Sequence, residues 1–443
     1  MAEHIKDIDG FCILPFIHLS TRTDGRMQIC CTANSSSTKE EQYIGCNRKD
    51  DGSFVELHKD RPEDNWNTNY MKQLRLDMLQ GNRPNVCRKC YKEEESGYRS
   101  KRVWENDLWG KQLDYNQIVD KVNADGSMPY GIHYIDMKLG NACNLACVMC
   151  NPSDSSLWIP DWNKLKKSDI SSEVDSQTYW NKNEAGAYNW YKKSRSYWES
   201  LKENIDQLYS VYIIGGEPTV NPEFKKFLRD CVDTNNAGHI DLRFNTNGQI
   251  LDEELKELYT HFKSVTLHLS MDGTHDRYTY IRYPGTWQAQ LDSLHWHDQL
   301  STNVKVEIDC TAMALNAWHL PDFIIWKINQ NFKNITVYPN FGGMIGLHIL
   351  WQPSMLSVQV LPKALKEEIL VRYDNVIKWA NTHHQPREGK GVNNNNRLKA
   401  VANHMMSEDK SEQWPSAIEY LDKMDSIRNT NWRTTFPELA RHE

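Results

Sequence analysis

The sequence predicts an α/β protein built on a partial (β/α)6 TIM-like barrel, preceded by a cysteine-rich N-terminal region and followed by a helical C-terminal extension. Between residues 130 and 340, short apolar segments alternate with helical ones, as in parallel sheets with right-handed crossovers. A closed eight-unit barrel is the alternative, but the chain after 340 turns helical too soon to supply two more good strands. Nine of the eleven cysteines lie before residue 151, and such clustering indicates ligation of a metal or a cluster.

Composition narrows the class of protein. The chain of 443 residues carries a net charge of −7, which argues against a generally nucleic-acid-binding surface. It contains no apolar run of roughly 18 residues, which a membrane span needs, and its first residues lack the apolar segment of a signal peptide. We therefore expect a cytoplasmic protein, with no membrane partner and with reduced thiols. Three regions are predicted: 1–110, 130–345 with an insertion at 153–198, and 346–443.

The N-terminal region holds a predicted cysteine hairpin. Residues 11–19 have the pattern of a short strand that carries Cys12, and Asp24-Gly25 is a turn signal. The return strand, 26–31, would bring Cys30 near Cys12. Cys31 could replace Cys30 as a ligand.

A second pair of cysteines follows a predicted helix at 66–80. Cys87 and Cys90 have the C-x2-C spacing of a metal knuckle, so we expect them to act as ligands. Together with the hairpin they supply four thiols, enough for a tetrahedral zinc site or a cubane cluster. Spacing alone does not decide between zinc and iron–sulfur. We expect Cys46 to be a buried structural thiol.

Six strands and five helices are predicted in the barrel region. The strands are 132–139, 210–214, 240–245, 264–270, 304–311 and 334–339, and the helices are 196–207, 223–232, 252–261, 287–300 and 320–331. Polar and glycine-rich residues follow several of these strands, on what should be one rim of the barrel. They are Gly215, Gly216, Glu217 and Pro218 after the second strand, Asn245 and Asn247 at the third, and Ser270 and Asp272 at the fourth.

Three cysteines follow the first predicted strand. Cys143, Cys147 and Cys150 are spaced C-x3-C-x2-C on one loop, and thiolates this close can hold one face of an iron–sulfur cluster. Three ligands, rather than four, would leave one iron open to another molecule.

This loop, followed by Gly-Gly-Glu-Pro after the next strand, resembles the radical S-adenosylmethionine (radical SAM) superfamily. The resemblance covers about 130–340. It implies that Cys143, Cys147 and Cys150 bind a [4Fe–4S] cluster whose open iron is chelated by SAM. It also implies that Gly215, Gly216, Glu217 and Pro218 form the turn that faces the methionine amino group. Asn245, Asn247, Ser270 and Asp272 would lie near the ribose or the substrate.

The N-terminal cysteines resemble half of a SPASM domain, known as a twitch domain. In most such enzymes that domain follows the barrel, whereas here it precedes it. The resemblance implies a second, auxiliary [4Fe–4S] cluster bound by Cys12, Cys30, Cys87 and Cys90.

The implied activity is reductive cleavage of SAM to a 5′-deoxyadenosyl radical, which abstracts hydrogen from a substrate. An external low-potential electron donor would be needed. A peptide or protein is the expected substrate, because auxiliary-cluster relatives often act on one. The alternatives are a small molecule or nucleotide as substrate, or a non-catalytic iron–sulfur or zinc protein.

The remaining segments carry weaker signals. The insertion at 153–198 is rich in aromatic and basic residues, and we expect a lid over the barrel mouth, with a plain surface insertion as the alternative. His18, His133, His268 and His319 have no ligand spacing and are expected to be structural. Beyond residue 345 we predict helices at 361–380, 397–406 and 412–427.

Overall fold

A computed structural model describes residues 5–33, 43–95, 99–168, 187–335, 345–383 and 395–443. The chain divides into two compact units. The first comprises Met1–Asn141, Asn181–Arg243 and His261–Lys263, and the second comprises Ala142–Trp180, Phe244–Thr260 and Ser264–Glu443.

Four strands lie in the first unit: β1 (His18–Thr21), β2 (Met27–Gln28), β3 (Tyr134–Lys138) and β4 (Ser210–Ile214). β1 pairs with β2 in antiparallel fashion, and the parallel pairs β1–β3 and β3–β4 follow. The turn between β1 and β2 closes at Gly25, whose φ of +83° favours glycine. A hairpin therefore forms around Asp24-Gly25 as predicted, but its strands contain neither Cys12 nor Cys30.

The second unit contains β6 (Ser264–Ser270), β7 (Val304–Ala312) and β8 (Gly346–Ile349), while β5 (Asp241–Thr246) begins in the first unit and ends in the second. β6, β7 and β8 pair in parallel. On β6 every second residue is buried, so Leu267 and Leu269 face the core and His268 lies on the opposite face. Parallel strands joined by helices confirm the predicted α/β class.

The helices of the first unit are Leu14–Ile17, Asn69–Leu79, Arg88–Glu95, Lys101–Trp109, Tyr115–Val119, Trp190–Lys193, Arg195–Glu203 and Pro222–Asp233. Those of the second unit are Ile159–Leu165, Glu253–Tyr259, His275–Ile281, Trp287–His297, Leu320–Asn329, Lys363–His383, Asn395–Ser407, Trp414–Arg428, Trp432–Thr435 and Pro437–Ala440. Side chains cap the N-termini of several helices: Thr68, Asn221 and Asp252 each accept a hydrogen bond from a backbone N–H of the first turn. No helix among these described residues has the length and apolar character needed to cross a bilayer.

One predicted element is corrected. Residues 14–17 form a helix rather than a strand, and Pro15 at its start is preorganised for that conformation. Residues 336–339 of the predicted last strand lie outside the described residues. The sequence does not predict two more good strands after 340, and the described part of the chain has one short strand there, β8, which pairs with β7.

Aromatic residues of the predicted insertion belong to hydrophobic cores. Trp158 and Trp162 are buried in the second unit, and Trp190 and Tyr191 are buried in the first. Residues 169–186 lie outside the described residues, and the lid stays a prediction.

Candidate functional site

The cysteine loop of the second unit is fixed through its backbone. The amides of Ala146 and Val148 donate to the carbonyl oxygens of Tyr283 and Ile281, at 2.7 and 2.8 Å. The Cys150 amide then donates to the carbonyl of Cys147 at 2.9 Å, which turns the chain between these two ligand positions. The loop is therefore held by backbone hydrogen bonds that leave its thiols available.

Two buried aromatic side chains hold the loop from its outer side. The Trp158 indole donates to the carbonyl oxygen of Cys147 at 2.7 Å, and the Tyr420 hydroxyl donates to that of Val148 at 3.2 Å. Both aromatic residues are buried. Because these carbonyl groups have hydrogen-bond donors, burying the irregular loop does not leave them unpaired, which would destabilise the fold.

Hydrogen-bond donors approach the thiols themselves. The Leu145 amide lies 3.4 Å from the sulfur of Cys143, and Asn247 Nδ2 lies 4.0 Å from the same sulfur. Asn247 is fixed by a 2.8 Å hydrogen bond to Asn144 Oδ1. Arg282 Nη1 lies 3.7 Å from the sulfur of Cys147. Such donors favour the thiolate over the thiol.

Arg282 is held in place by Asp272. Its Nε lies 2.6 Å from Oδ2 of Asp272, and Oδ1 of that carboxylate accepts the Thr311 amide at 2.7 Å. Burial would lower the pKa of Arg282, but Asp272 and the Cys147 thiol raise it, so the guanidinium stays charged. The hydrogen bond from Cys150, together with Arg282, lowers the pKa of Cys147 to about 7. The same shared proton raises the pKa of Cys150.

The donor set of this loop fits an iron–sulfur cluster. It presents three thiols, one of them with a lowered pKa, together with N–H donors of the kind that tune cluster sulfurs. In the described part of the chain, no three His, Cys, Asp or Glu side chains are arranged around one metal ion.

The Gly-Gly-Glu-Pro turn lies in the first unit, directly after β4. Gly215 and Gly216 have φ values of +95° and +51°, a region that side chains rarely adopt. A Cβ atom at Gly215 would lie 2.9 Å from both the Gly140 oxygen and the Leu139 nitrogen. Glycine is therefore required here, both for the φ angle and for the close approach of two backbones.

Glu217 and Pro218 complete the turn. Glu217 is only 2% exposed, and its Oε1 accepts the Thr219 amide at 3.1 Å and hydroxyl at 2.7 Å. Pro218 is buried and begins a short 3-10 helix. Glu217 thus caps this helix, and the backbone of the glycines is the part of the turn available to a ligand.

The structure places the other rim residues at strand ends. Asn245 and Ser270 are half-buried on β5 and β6. Asn247 faces the cysteine loop, whereas Asp272 is fully buried and engaged by Arg282. A contact of any of these four with a ribose or a substrate stays a prediction.

The four predicted N-terminal ligands all lie in the first unit, and their joint binding of a metal stays a prediction. After burial, neighbouring thiolates contribute to two raised pKa values: that of Cys12, through Cys30 and Cys90, and that of Cys87, through the other three. Burial is the largest cause, and it raises the pKa of Cys12, Cys30 and Cys87. Cys12 and Cys90 are buried and Cys30 and Cys87 are half-buried, and a metal centre would supply the positive charge that neighbouring thiolates lack.

Cys31 and Cys46 lie in other surroundings. The neighbours of Cys31 are Asp136 and Lys101, and burial together with Asp136 raises its pKa to about 12. Cys46 is fully buried, in agreement with the prediction of a structural thiol. Of the two, Cys30 influences the pKa of Cys87, and its choice as the ligand stays a prediction.

Sequence reasoning missed Arg282. No motif marks it, because its pairing with Asp272 and its approach to Cys147 depend on the fold. A weak signal was the Arg-Tyr-Pro-Gly segment, 282–285, which ends the helix that precedes it.

A protein family model matches the barrel region. The family model described as the Radical SAM superfamily matches residues 137–309. The matched residues include the three loop cysteines and the Gly-Gly-Glu-Pro turn, so this segment is similar to a radical SAM domain.

Relatives in this superfamily align over short stretches. Mycofactocin maturase MftC of Mycobacterium ulcerans (strain Agy99) is 27% identical over 136 residues, which cover 31% of this chain and 28% of the relative. The MftC of Mycobacterium tuberculosis (strain ATCC 25618 / H37Rv) is also 27% identical over 136 residues, covering 26% of its length. The aligned stretch thus spans only about a quarter of either relative.

Among solved structures, native anSMEcpe with bound AdoMet and Cp18Cys peptide matches at 16% identity and a TM-score of 0.33. That match covers 54% of this chain and 57% of the other. Streptococcus suis SuiB bound to S-adenosylmethionine matches at 14% identity and a TM-score of 0.31, covering 70% and 63%.

Proposed function

We propose that the protein reductively cleaves S-adenosylmethionine at a [4Fe–4S] cluster held by Cys143, Cys147 and Cys150, and abstracts hydrogen from a peptide or protein. The observation that carries the proposal is the cysteine loop within the matched radical SAM segment, with Arg282 and backbone N–H groups directed at its sulfurs. When bound, the cluster supplies the electron that cleaves the SAM sulfonium and generates the 5′-deoxyadenosyl radical.

The residues of the loop then have defined tasks. Three thiolates hold three irons, and the fourth position is open to SAM. The buried Arg282 offsets the negative charge of the Cys147 thiolate, and Asp272 keeps the guanidinium directed at that sulfur. Trp158 and Tyr420 cover the loop carbonyls and exclude water from them.

The glycine turn is proposed to bind the amino group of the SAM methionine. Gly215 and Gly216 leave their backbone without side-chain cover, and the carbonyl oxygens of such a turn accept hydrogen bonds from an ammonium. Replacing Gly216 by alanine should weaken SAM binding while iron content stays unchanged.

A second [4Fe–4S] cluster is proposed at Cys12, Cys30, Cys87 and Cys90. Support comes from the grouping of these four thiols and from the resemblance of their spacing to a twitch domain. Zinc is the alternative occupant. The same resemblance supports the peptide or protein substrate, with a small molecule or nucleotide as the alternative.

Electron paramagnetic resonance tests the proposal. The protein is reconstituted anaerobically with iron and sulfide, reduced with dithionite, and mixed with SAM. The wild type should give a reduced-cluster signal that shifts when SAM binds, and Cys143→Ala/Cys147→Ala/Cys150→Ala should retain only a signal that SAM leaves unchanged. Cys231→Ala, which removes a buried cysteine of a helix outside both cysteine sets, is the matched control. A wild-type signal that SAM leaves unchanged contradicts the proposal and supports a non-catalytic iron–sulfur protein.

A further inference from the structure

A cluster of two histidines and two carboxylates lies on one face of β6, β7 and β8. His268 Nδ1 is 3.1 Å from Asp309 Oδ2 and 3.4 Å from Glu307 Oε2. His348 Nε2 lies 3.3 Å from the same Asp309 oxygen. Strand register explains the grouping, because Glu307 is directly opposite His268.

A glycine opposite Asp309 leaves space for its carboxylate. Gly346 is the register partner of Asp309, and a Cβ atom at that glycine would lie only 2.0 Å from Asp309 Oδ1. Its φ is ordinary, so the glycine is needed for space alone. Any other residue at 346 would push the carboxylate away from both imidazoles.

The charges of the cluster set its chemistry. Burial would raise the pKa of Asp309, but hydrogen bonds from His268 and His348 hold it well below the usual range. Asp309 is thus a permanent acceptor for two imidazole N–H groups. The same strand faces carry one further charged group, the exposed Lys305.

The imidazole of His268 is oriented in a specific way. Its Nδ1 is buried and makes no hydrogen bond of full geometry, but it lies within 3.4 Å of both carboxylates, while the side chain as a whole is 22% exposed. A carboxylate oxygen at this distance favours the Nδ1–H tautomer, in which Nε2 carries the lone pair.

We propose that His268 is a general acid–base group of the reaction, oriented by Asp309 and presenting Nε2 at the strand face. Its use rests on the proposed function: a reaction step that releases a proton from the substrate would deliver it to Nε2, while Nδ1 stays directed at Asp309. Asp309 and His348 are positioning residues. His268 has no ligand spacing in the sequence, because its role depends on side chains from three strands.

Nitrogen-15 NMR of the reconstituted, oxidised protein tests the orientation without a substrate and without SAM cleavage. His268 should be the Nδ1–H tautomer and His348 the Nε2–H tautomer, with each signal assigned from His268→Gln and His348→Gln. An Nε2–H tautomer at His268 would overturn the proposal.

Diethyl pyrocarbonate, which acylates unprotonated imidazole nitrogens, tests reactivity at Nε2. Peptide mapping should show that Asp309→Asn acylates His268 several-fold more slowly than the wild type, that Glu307→Gln has a smaller effect, and that Lys305→Gln has none. An unchanged rate in Asp309→Asn contradicts the proposal, because a carboxylate with a merely structural role would not activate the ring. Protection of both histidines by one equivalent of Zn²⁺ would also overturn it, in favour of a metal site. Both results are independent of 5′-deoxyadenosine formation, so they are distinguishable from failure of the proposed function.

Discussion

The two groups of cysteines in this chain differ in what surrounds their sulfurs. In the loop of the second unit, a hydrogen bond with Cys150 and the charge of Arg282 lower the pKa of Cys147 to about 7, while the same hydrogen bond raises the pKa of Cys150. In the first unit, burial and neighbouring thiols raise the pKa of Cys12, Cys30 and Cys87. The loop is therefore prepared for ligation by the protein, whereas the N-terminal group depends on the charge that a metal centre would bring.

The largest effect is expected from removing the loop thiols. Cys143→Ala/Cys147→Ala/Cys150→Ala should lower iron by about four atoms per chain and abolish SAM cleavage, because the cluster loses all its protein ligands. Iron and sulfide analysis measures the first change, and product chromatography the second. Retention of SAM cleavage would show that the loop is not the site.

Removing half of the N-terminal group should separate the two sites. Cys87→Ala/Cys90→Ala should also lower iron by about four atoms per chain, while the SAM-dependent signal persists. If iron is unchanged and bound zinc is lost instead, the second centre is a zinc site.

A neighbouring pair of cysteines offers a matched test within the N-terminal group. Cys30→Ala should lower iron as Cys87→Ala/Cys90→Ala does, because Cys30 lies with the other three thiols. Cys31→Ala should leave iron unchanged, since Cys31 lies beside Asp136 and Lys101. The reverse pattern would exchange their roles.

Replacing Arg282 sharpens the comparison at the loop. Arg282→Gln removes the charge beside Cys147, and iron affinity of the loop should fall about 10- to 100-fold, the usual cost of losing a residue that supports a ligand. Competition with an iron chelator measures this change. Arg277→Gln, a change at a charged residue that pairs with Glu438 instead, is the control and should leave affinity unchanged.

The two groups should also differ in pH dependence. A thiol with a raised pKa is protonated at neutral pH and must lose its proton to bind metal, so uptake rises with pH. Iron loading of the N-terminal group should therefore fall more between pH 8.5 and pH 6.5 than loading of the loop. Each group is measured in the variant that lacks the other, and equal pH profiles would contradict the contrast described above.

Much of the fold could be predicted from local patterns in the sequence. The bounds of β4 and β6 match the predicted segments, because their apolar residues alternate clearly and turns border them. The helix at 14–17 and β8 were not predicted, since four residues are too few for a periodic signal.

Only the parts of the candidate site whose residues lie close together in the sequence could be predicted. C-x3-C-x2-C and Gly-Gly-Glu-Pro are contiguous in sequence, so Cys143, Cys147, Cys150 and the glycine turn could be found directly. Arg282 and the His268–Asp309 pair could not, because their partners come together only when separate strands and loops pack. The choice of Cys30 over Cys31 likewise depends on which side chain turns toward Cys87.

Quantification of 5′-deoxyadenosine tests the central claim most directly. The anaerobically reconstituted protein is incubated with SAM and dithionite, and the product is measured by chromatography and mass spectrometry. We predict 5′-deoxyadenosine in the wild type and in Cys231→Ala, and none in Cys143→Ala/Cys147→Ala/Cys150→Ala. A fully loaded and reduced wild-type protein that forms no 5′-deoxyadenosine would contradict the account.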